Sequence, residues 1–171
     1  YKNIVLADSC GHGTTKPVIQ GTGMDTYLEK YQIPAIDYTK GVRVENPEGN
    51  QAKEFILPKE LLEAECVISL SKMKTHALER ITGAVKNSYG FVYGKNKAIG
   101  HTKYPSADSF ARMLIDLNQY VKPRLYIMDG ITAMEGIGPG SGDPVAMNLI
   151  LMSTDPVALD SVFARLVYLK P

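Results

Sequence analysis

The sequence predicts an α/β protein: three layers, a mostly parallel mixed sheet, and helices on both faces of that sheet. Residues 66–70 form an apolar run of the length of a buried strand, and residues 124–129 show the little polar alternation of a central strand. Between such runs lie stretches with apolar residues at three- and four-residue intervals, as on one face of a helix. Strands that alternate with helices indicate a largely parallel sheet, whose ligand sites lie beyond the carboxyl ends of its strands.

Composition sets the broad class of the protein. The 171 residues are 44% hydrophobic and 22% charged, which suits a single α/β domain over residues 1–171 with a substantial core. A net charge of +1 predicts neither nucleic acid nor a membrane as a partner, so any basic site must be local. No apolar run approaches the ~18 residues needed to cross a bilayer. We expect a cytoplasmic protein and, because the chain starts at Tyr1 almost inside a strand, a fragment of a longer one.

The order of elements follows from apolar periodicity and from turn residues. A short helix is predicted to begin at Thr14 or Thr15, and further helices are predicted at 22–31, 59–64, 79–89, 107–122 and 155–168. Strands are predicted at 3–8, 33–38, 42–45, 52–57, 66–70, 124–129 and 147–152. Ser106 is a good N-cap, Asp155 is more typical of an N-cap than of a catalytic residue, and Pro156 suits a first helical turn. Residues 91–105 and 131–144 are predicted as loops.

The loop Ser9–Thr15 follows the first predicted strand. Its Gly11 and Gly13 would let backbone N–H groups approach an anion, and Thr14 stands where the next helix begins. Lys16 occupies the position of the third glycine of a dinucleotide-binding motif, so that motif is excluded. A phosphate or carboxylate cradle and a simple tight turn are both compatible with these residues.

The segment Ser71–His76 turns abruptly cationic after a buried strand. Lys72 and Lys74 could neutralise a phosphate or carboxylate, while Thr75 and His76 could supply hydrogen bonds or acid–base chemistry. A solvated loop with a capping or core histidine is the alternative.

Lys86 and Asn87 lie in the last turn of the predicted helix 79–89, at the same end of the sheet. They could bind the same anion, or could merely suit the dipole of that helix.

Two carboxylates complete the candidate site. Asp129 ends a predicted strand, and Glu135 could face it across the glycine-rich loop 131–144, so both are candidates for proton transfer or for holding an ion. Either could instead cap a turn. His12, His76, His101 and Cys10 are further ligand types, but no pair has a recognisable metal-ligand spacing. We assign no metal ligand, and a divalent metal is the less favoured alternative.

Five ordered motifs resemble one family over nearly the whole chain. They are Leu57-Pro58-Lys59, Ser71–His76, Lys86–Gly90, the segment 129–139 that begins Asp-Gly-Ile, and Thr154–Asp160. The chain resembles the domain of unknown function 362 family, whose members are often labelled iron–sulphur cluster-binding proteins because a ferredoxin-like module follows. Cys10 and Cys66 are the only cysteines and form no cluster motif, so the resemblance does not carry a cofactor over to these residues.

We expect an enzyme, or part of one, that binds a small anionic ligand in a cleft at the carboxyl ends of the strands. Lys72, Lys74 and Lys86 would hold the anion, His76 would be the acid–base group, and Asp129 and Glu135 would assist it. The alternative, implied by the resemblance, is a non-catalytic module that docks or is fused to a ferredoxin-like iron–sulphur domain.

Overall fold

The computed structural model describes residues 3–9 and 14–171, which contain eight strands and seven α-helices. The strands are β1 (Leu6–Ala7), β2 (Ala35–Ile36), β3 (Gly41–Glu45), β4 (Glu54–Pro58), β5 (Ile68–His76), β6 (Arg80–Thr82), β7 (Leu125–Ile137) and β8 (Ser141–Ser153). The helices are α1 (Thr15–Thr22), α2 (Met24–Tyr31), α3 (Lys59–Leu62), α4 (Ala84–Asn87), α5 (Asn96–Lys103), α6 (Ala107–Val121) and α7 (Pro156–Leu166). A 3-10 turn, Ser88–Phe91, follows α4.

The central sheet has four strands in the order β6-β5-β7-β8. The α/β class is confirmed, but the sheet is less parallel than the alternation of elements predicts. Only β5 and β7 run parallel, while β6 returns along β5 and β8 returns along β7 as hairpins. Adjacent strands joined by a short turn can pair only antiparallel, and both connections are short here. Two smaller pairs lie apart from this sheet: parallel β1–β2 and antiparallel β3–β4.

The glycine-rich segment 131–144 is strand, so its prediction as a loop was wrong. It forms the distal part of the β7–β8 hairpin, with Gly136 paired to Gly142 and the turn at 138–140. A Cβ on Gly142 would collide with the carbonyl of Glu135, and Gly136 has a φ of +73°. These glycines therefore permit close pairing and the left-handed backbone conformation, rather than a disordered loop.

The segment 79–89 does not form the single predicted helix. Residues 80–82 pair with the end of β5 as strand β6, and only Ala84–Asn87 is α-helical. β5 itself continues through Ser71–His76, where a turn was predicted. Lys74 pairs with Thr82, and His76 pairs with Arg80. Local periodicity does not reveal these backbone partners.

Two helix starts agree with their sequence signals. Ser106 caps α6, and Ser109 returns the hydrogen bond in a capping box. Asp155 caps α7 by accepting from the N–H groups of Val157 and Ala158 at 2.8 and 3.0 Å, which confirms it as an N-cap.

The core consists of two clusters of buried apolar side chains. One joins β4, the 3-10 turn and α6, and includes Phe55, Leu57, Phe110, Met113, Leu114 and Leu117. The other joins the inner face of the sheet to α7, and includes Met73, Tyr126, Met128, Leu159 and Phe163. Within the described ranges, α4 and α7 pack against this sheet, and its opposite face carries exposed side chains. A covering layer on that second face, as predicted from the sequence, is not seen in residues 3–9 and 14–171.

Asp116 fixes the loop before β4 to helix α6. The carboxylate is 2% exposed and accepts the backbone N–H groups of Asn50, Gln51 and Ala52 at 2.9, 2.6 and 2.6 Å. A buried carboxylate with three N–H donors is well satisfied, and its loss leaves buried donors without a partner.

We therefore expect Asp116→Ala to lower the free energy of unfolding by about 2–4 kcal/mol, because three N–H groups lose a charged acceptor. Urea unfolding followed by circular dichroism measures this loss. Asp108→Ala is the matched control on the same helix: its carboxylate is exposed and pairs with Arg112 at 2.9 Å, so a much smaller loss is expected. Equal losses in the two variants would contradict the anchoring role of Asp116.

Candidate functional site: a basic cluster beside helix α4

Helix α4 is short, and its position is set by buried polar contacts rather than by its own stability. Asp160 on α7 accepts the N–H groups of Ala84 and Val85, the first residues of α4, at 2.6 and 2.9 Å. Burial raises the pKa of Asp160 to about 6, against the opposing effect of these two N–H groups. A Cβ on Gly83 would collide with the Asp160 carboxylate, so glycine is needed where the helix begins.

Asn118 on α6 holds the other side of α4. Its amide donates to the carbonyls of Val85 and Leu114 at 3.1 and 2.8 Å, and its Oδ1 accepts from Ser88 at 2.7 Å and from Tyr126 at 3.0 Å. All the usual hydrogen bonds of the amide are thus made within the core. One side chain joins α6, α4 and β7.

Asn87 adds a third attachment of α4, this time to the sheet. Its amide donates to the carbonyl of Leu70 at 2.9 Å and to Ser69 Oγ at 3.3 Å. Asn87, which the sequence predicts as a ligand-binding residue, therefore holds α4 against β5.

Lys86 lies on this fixed helix in a half-buried position. Its Nζ is 5.8 Å from the centre of the Phe110 ring. The pKa of Lys86 is lowered to about 8, first by burial and then by the positive charge of Lys74, with a smaller contribution from Lys97. Glu79 opposes this effect. The ammonium group is thus surrounded mainly by other cations and remains mostly protonated at pH 7.

His76, at the end of β5, is held as a neutral ring. Its Nδ1 accepts the N–H groups of Leu78 and Glu79 at 3.1 and 3.2 Å, so Nδ1 cannot carry a proton. Burial, and then the charges of Lys86, His101 and Lys74, lower the pKa of His76 to about 4. The remaining nitrogen, Nε2, must carry the proton and can donate a hydrogen bond.

Helix α5 brings two residues to the cluster that sequence reasoning did not assign to an anion site. The ring of His101 stacks on Phe110 with centroids 4.5 Å apart, and burial together with Lys86 lowers the pKa of His101. Lys97 Nζ donates to the carbonyl of Ser9, and its own carbonyl accepts from Tyr89 at 2.6 Å. The spacing of Lys97 and His101 by four residues was the available signal, because such residues share one face of a helix.

Glu79 is an acidic residue that acts electrostatically on Lys86. Its Oε1 is buried and has no hydrogen-bond partner among the described residues. Burial raises the pKa of Glu79, although Lys86 acts in the opposite direction.

Lys72 and Asp129, two other predicted site residues, form an ion pair with each other. Lys72 Nζ lies 2.5 Å from Asp129 Oδ2 and donates to the carbonyl of Thr132 at 3.0 Å. Asp129 also accepts the N–H of Ile131 at 2.8 Å, and its pKa is lowered, chiefly by the hydrogen bond from Lys72. Both side chains are nearly half exposed, on the sheet face opposite Met73. The structure pairs them with each other rather than with Lys86.

The other predicted residues are more scattered. Glu135 is exposed on the distal β7–β8 hairpin, opposite Asp143. Thr75 lies beside Lys74, and its Oγ1 is buried without a hydrogen-bond partner among the described residues, where Gly138 packs against it.

Thr14 is exposed at the N-cap of α1. Gly11 and Gly13, with Cys10 and His12, lie outside the described residues, although Ser9 brings the start of their loop to Lys97.

Two further findings concern the described residues only. They contain no group of three or more His, Cys, Asp or Glu residues that could hold a metal ion. None of their helices has both the length and the apolar character needed to span a membrane.

The unusual environment of Lys86 predicts that this residue costs stability at neutral pH. A pKa of about 8 in the folded state, against an ordinary 10.5, means that protonated Lys86 destabilises the fold below pH 8. This cost disappears as the pH rises from 8 towards 10.5. We expect Lys86→Met to raise the melting temperature by about 2–4 °C at pH 7, and by less at pH 9.5.

Differential scanning calorimetry at the two pH values measures this effect, with exposed Lys16→Met on α1 as the control, expected to change little. A melting temperature that falls in Lys86→Met, equally at both pH values, would show that Lys86 stabilises the fold instead.

Comparison with known proteins places the chain in a family. Residues 1–165 match the profile described as domain of unknown function (DUF362). The chain is 35% identical over 167 residues to the thylakoid-associated protein sll1697 of Synechocystis sp.. The match covers 97% of this chain and 51% of that protein, so the chain spans about half the length of this curated relative. The chain belongs to the domain of unknown function 362 family.

Proposed function

We propose that the basic cluster around Lys86 binds a small anionic ligand that bears a phosphate or a carboxylate. The cluster consists of Lys74, His76, Lys86, Lys97 and His101. The observation that carries the proposal is the environment of Lys86, which is half-buried and flanked by cations, with Glu79 opposing them. A charge kept where it costs stability is typical of a functional site.

The charges of the cluster favour an anion over a neutral ligand. Lys74 and Lys97 both repel Lys86, and an anion between them would relieve that repulsion. Charge-assisted hydrogen bonds from ammonium groups to phosphate or carboxylate oxygens are among the stronger polar contacts. Bound anion would therefore raise the pKa of Lys86.

His76 suits the role of a neutral donor. With Nδ1 accepting two backbone N–H groups, its Nε2–H is the group left to hydrogen-bond an anion oxygen. A pKa of about 4 leaves little protonated histidine at neutral pH, so donation of a hydrogen bond fits the free protein better than general-acid catalysis. The catalytic roles of His76, Asp129 and Glu135 remain predictions.

The position of the cluster is consistent with a contribution from the glycine loop. Ser9, which contacts Lys97, directly precedes residues 10–13. Anion binding by Gly11 and Gly13 stays a prediction from the sequence. The alternative, a module that docks a ferredoxin-like iron–sulphur domain, also remains a prediction, and it expects no small anion to bind here. A cytoplasmic location is likewise proposed, while the name of the Synechocystis relative associates that protein with thylakoids.

The direct test is titration calorimetry of the protein, expressed from its own gene, with inorganic phosphate, pyrophosphate and citrate. We expect saturable binding of at least one probe, weakened about 10–100-fold in Lys86→Met and in Lys74→Met, because each loses a charge-assisted contact. Affinity should also fall as the pH rises above about 8, where Lys86 loses its proton. Lys103→Met is the matched control, since this exposed lysine on α5 lies over Tyr104.

Two results would contradict the proposal. One is the absence of saturable heat with all three probes. The other is binding that Lys86→Met and Lys74→Met leave as strong as in the Lys103→Met control.

A further inference from the structure

One face of the central sheet carries apolar side chains that face solvent. On β5, Ile68 and Leu70 are 49% and 56% exposed; on β8, Ile150 and Met152 are 54% and 66% exposed. The intervening residues of β5, Ser69 and Ser71, point to the opposite, buried face. We call this surface the open face; it also includes half-buried Leu125 and Ile127 of β7.

The strand register makes the open face continuous. Leu70 pairs with Ile127, which pairs with Met152, so three strands contribute one apolar row. A second pair, Ile68 and Leu125, lies next to this row.

The third row is mixed, because Lys72 pairs with Asp129 and Asp129 pairs with Ile150. The ion pair of Lys72 and Asp129, 2.5 Å between Nζ and Oδ2, therefore borders the apolar rows.

This arrangement is unlike the outer face of a sheet that remains in water. In a sheet with one solvated face, the outward positions alternate to polar residues. Here the outward positions of three adjacent strands are mainly Ile, Leu and Met. A contiguous apolar surface rimmed by a polar pair marks a face that packs against another layer.

We propose that the open face is covered by a segment of the same polypeptide that lies outside residues 1–171. The observation that favours this occupant is the extent of the match to the Synechocystis relative, which covers 97% of this chain and 51% of that protein. Nearly half of that relative thus lies outside the matched region and is available as a covering layer. A segment of the same chain also has a high effective concentration at the open face, because it is tethered there and does not have to diffuse to it as a separate protein would.

The covering segment has a definable chemistry. Its inner side is apolar opposite Leu70, Ile127 and Met152. Opposite Lys72 and Asp129 it carries polar groups, because a buried ion pair without further hydrogen bonds is costly. None of the open-face residues belongs to the basic cluster around Lys86.

Methionine oxidation tests the proposal on the wild-type protein expressed from its own gene. The described residues provide three reporters: Met152 on the open face (66% exposed), Met24 on α2 (41% exposed) and Met73 in the core (0% exposed). Dilute protein is treated with hydrogen peroxide, and sulphoxide formation at each methionine is followed by mass spectrometry. We expect Met152 to react at least about fivefold more slowly than Met24 at every protein concentration, with Met73 the slowest.

Two results would contradict the covering segment. Oxidation of Met152 as fast as that of Met24 would show that the open face is uncovered. Protection of Met152 that is lost on dilution would show that a second copy covers it, and would equally overturn the proposal.

A second measurement does not depend on sulphur chemistry. Cysteine is introduced as Leu70→Cys and, at the exposed tip of β7, as Ile137→Cys, and maleimide labelling is resolved by peptide so that Cys10 and Cys66 do not interfere. Labelling at position 70 is expected to be at least about tenfold slower than at position 137. Equal rates would contradict the covering layer.

Discussion

The attachment of helix α4 to its neighbours is the interaction on which the candidate site depends. Four residues cannot form a stable helix alone, so α4 exists because Asp160 binds its N–H groups and Asn118 binds its carbonyl side. The same contacts fix the position of Lys86 relative to Phe110. Because both partners are hydrogen-bonded to the helix and Asn118 is buried, the helix has little freedom to move Lys86 away from the other cations.

The basic cluster holds charge where that charge lowers the stability of the fold. Lys86 loses hydration on burial and lies close to Lys74, and both effects lower its pKa. The two packed core clusters supply the stability that tolerates this charge. By contrast, the exposed pair of Lys72 and Asp129 is already neutralised, and surface pairs of this kind contribute at most about 1 kcal/mol.

Local signals predicted the elements that depend on local chemistry. Ser106 and Asp155 each begin a helix at the expected residue, because a cap is decided by the side chain and its next few N–H groups. Segment 131–144 was misread because glycines that permit close strand pairing look, in sequence, like those of a loop. The prediction of a helix in place of β6 was wrong for a related reason. β6 forms because it pairs with the end of β5, and local periodicity does not show this pairing.

The site was predicted in part for the same reasons. Lys74, His76 and Lys86 come together as expected, because β5 and α4 are close in sequence and joined by a short hairpin. Lys97 and His101 were not assigned to an anion site, since α5 lies in a segment whose glycines and lysines suggested a loop. The pairing of Lys72 with Asp129 depends on the register of β5 and β7, which no local pattern determines.

The most direct measurement of the central claim is an NMR pH titration of the Lys86 side-chain amine, with and without pyrophosphate. The proposed anion site predicts a pKa near 8 for Lys86 in the free protein, and an increase towards the ordinary value when the anion neutralises the surrounding charge. A pKa of about 10.5 in the free protein, or one that pyrophosphate leaves unchanged, would contradict it.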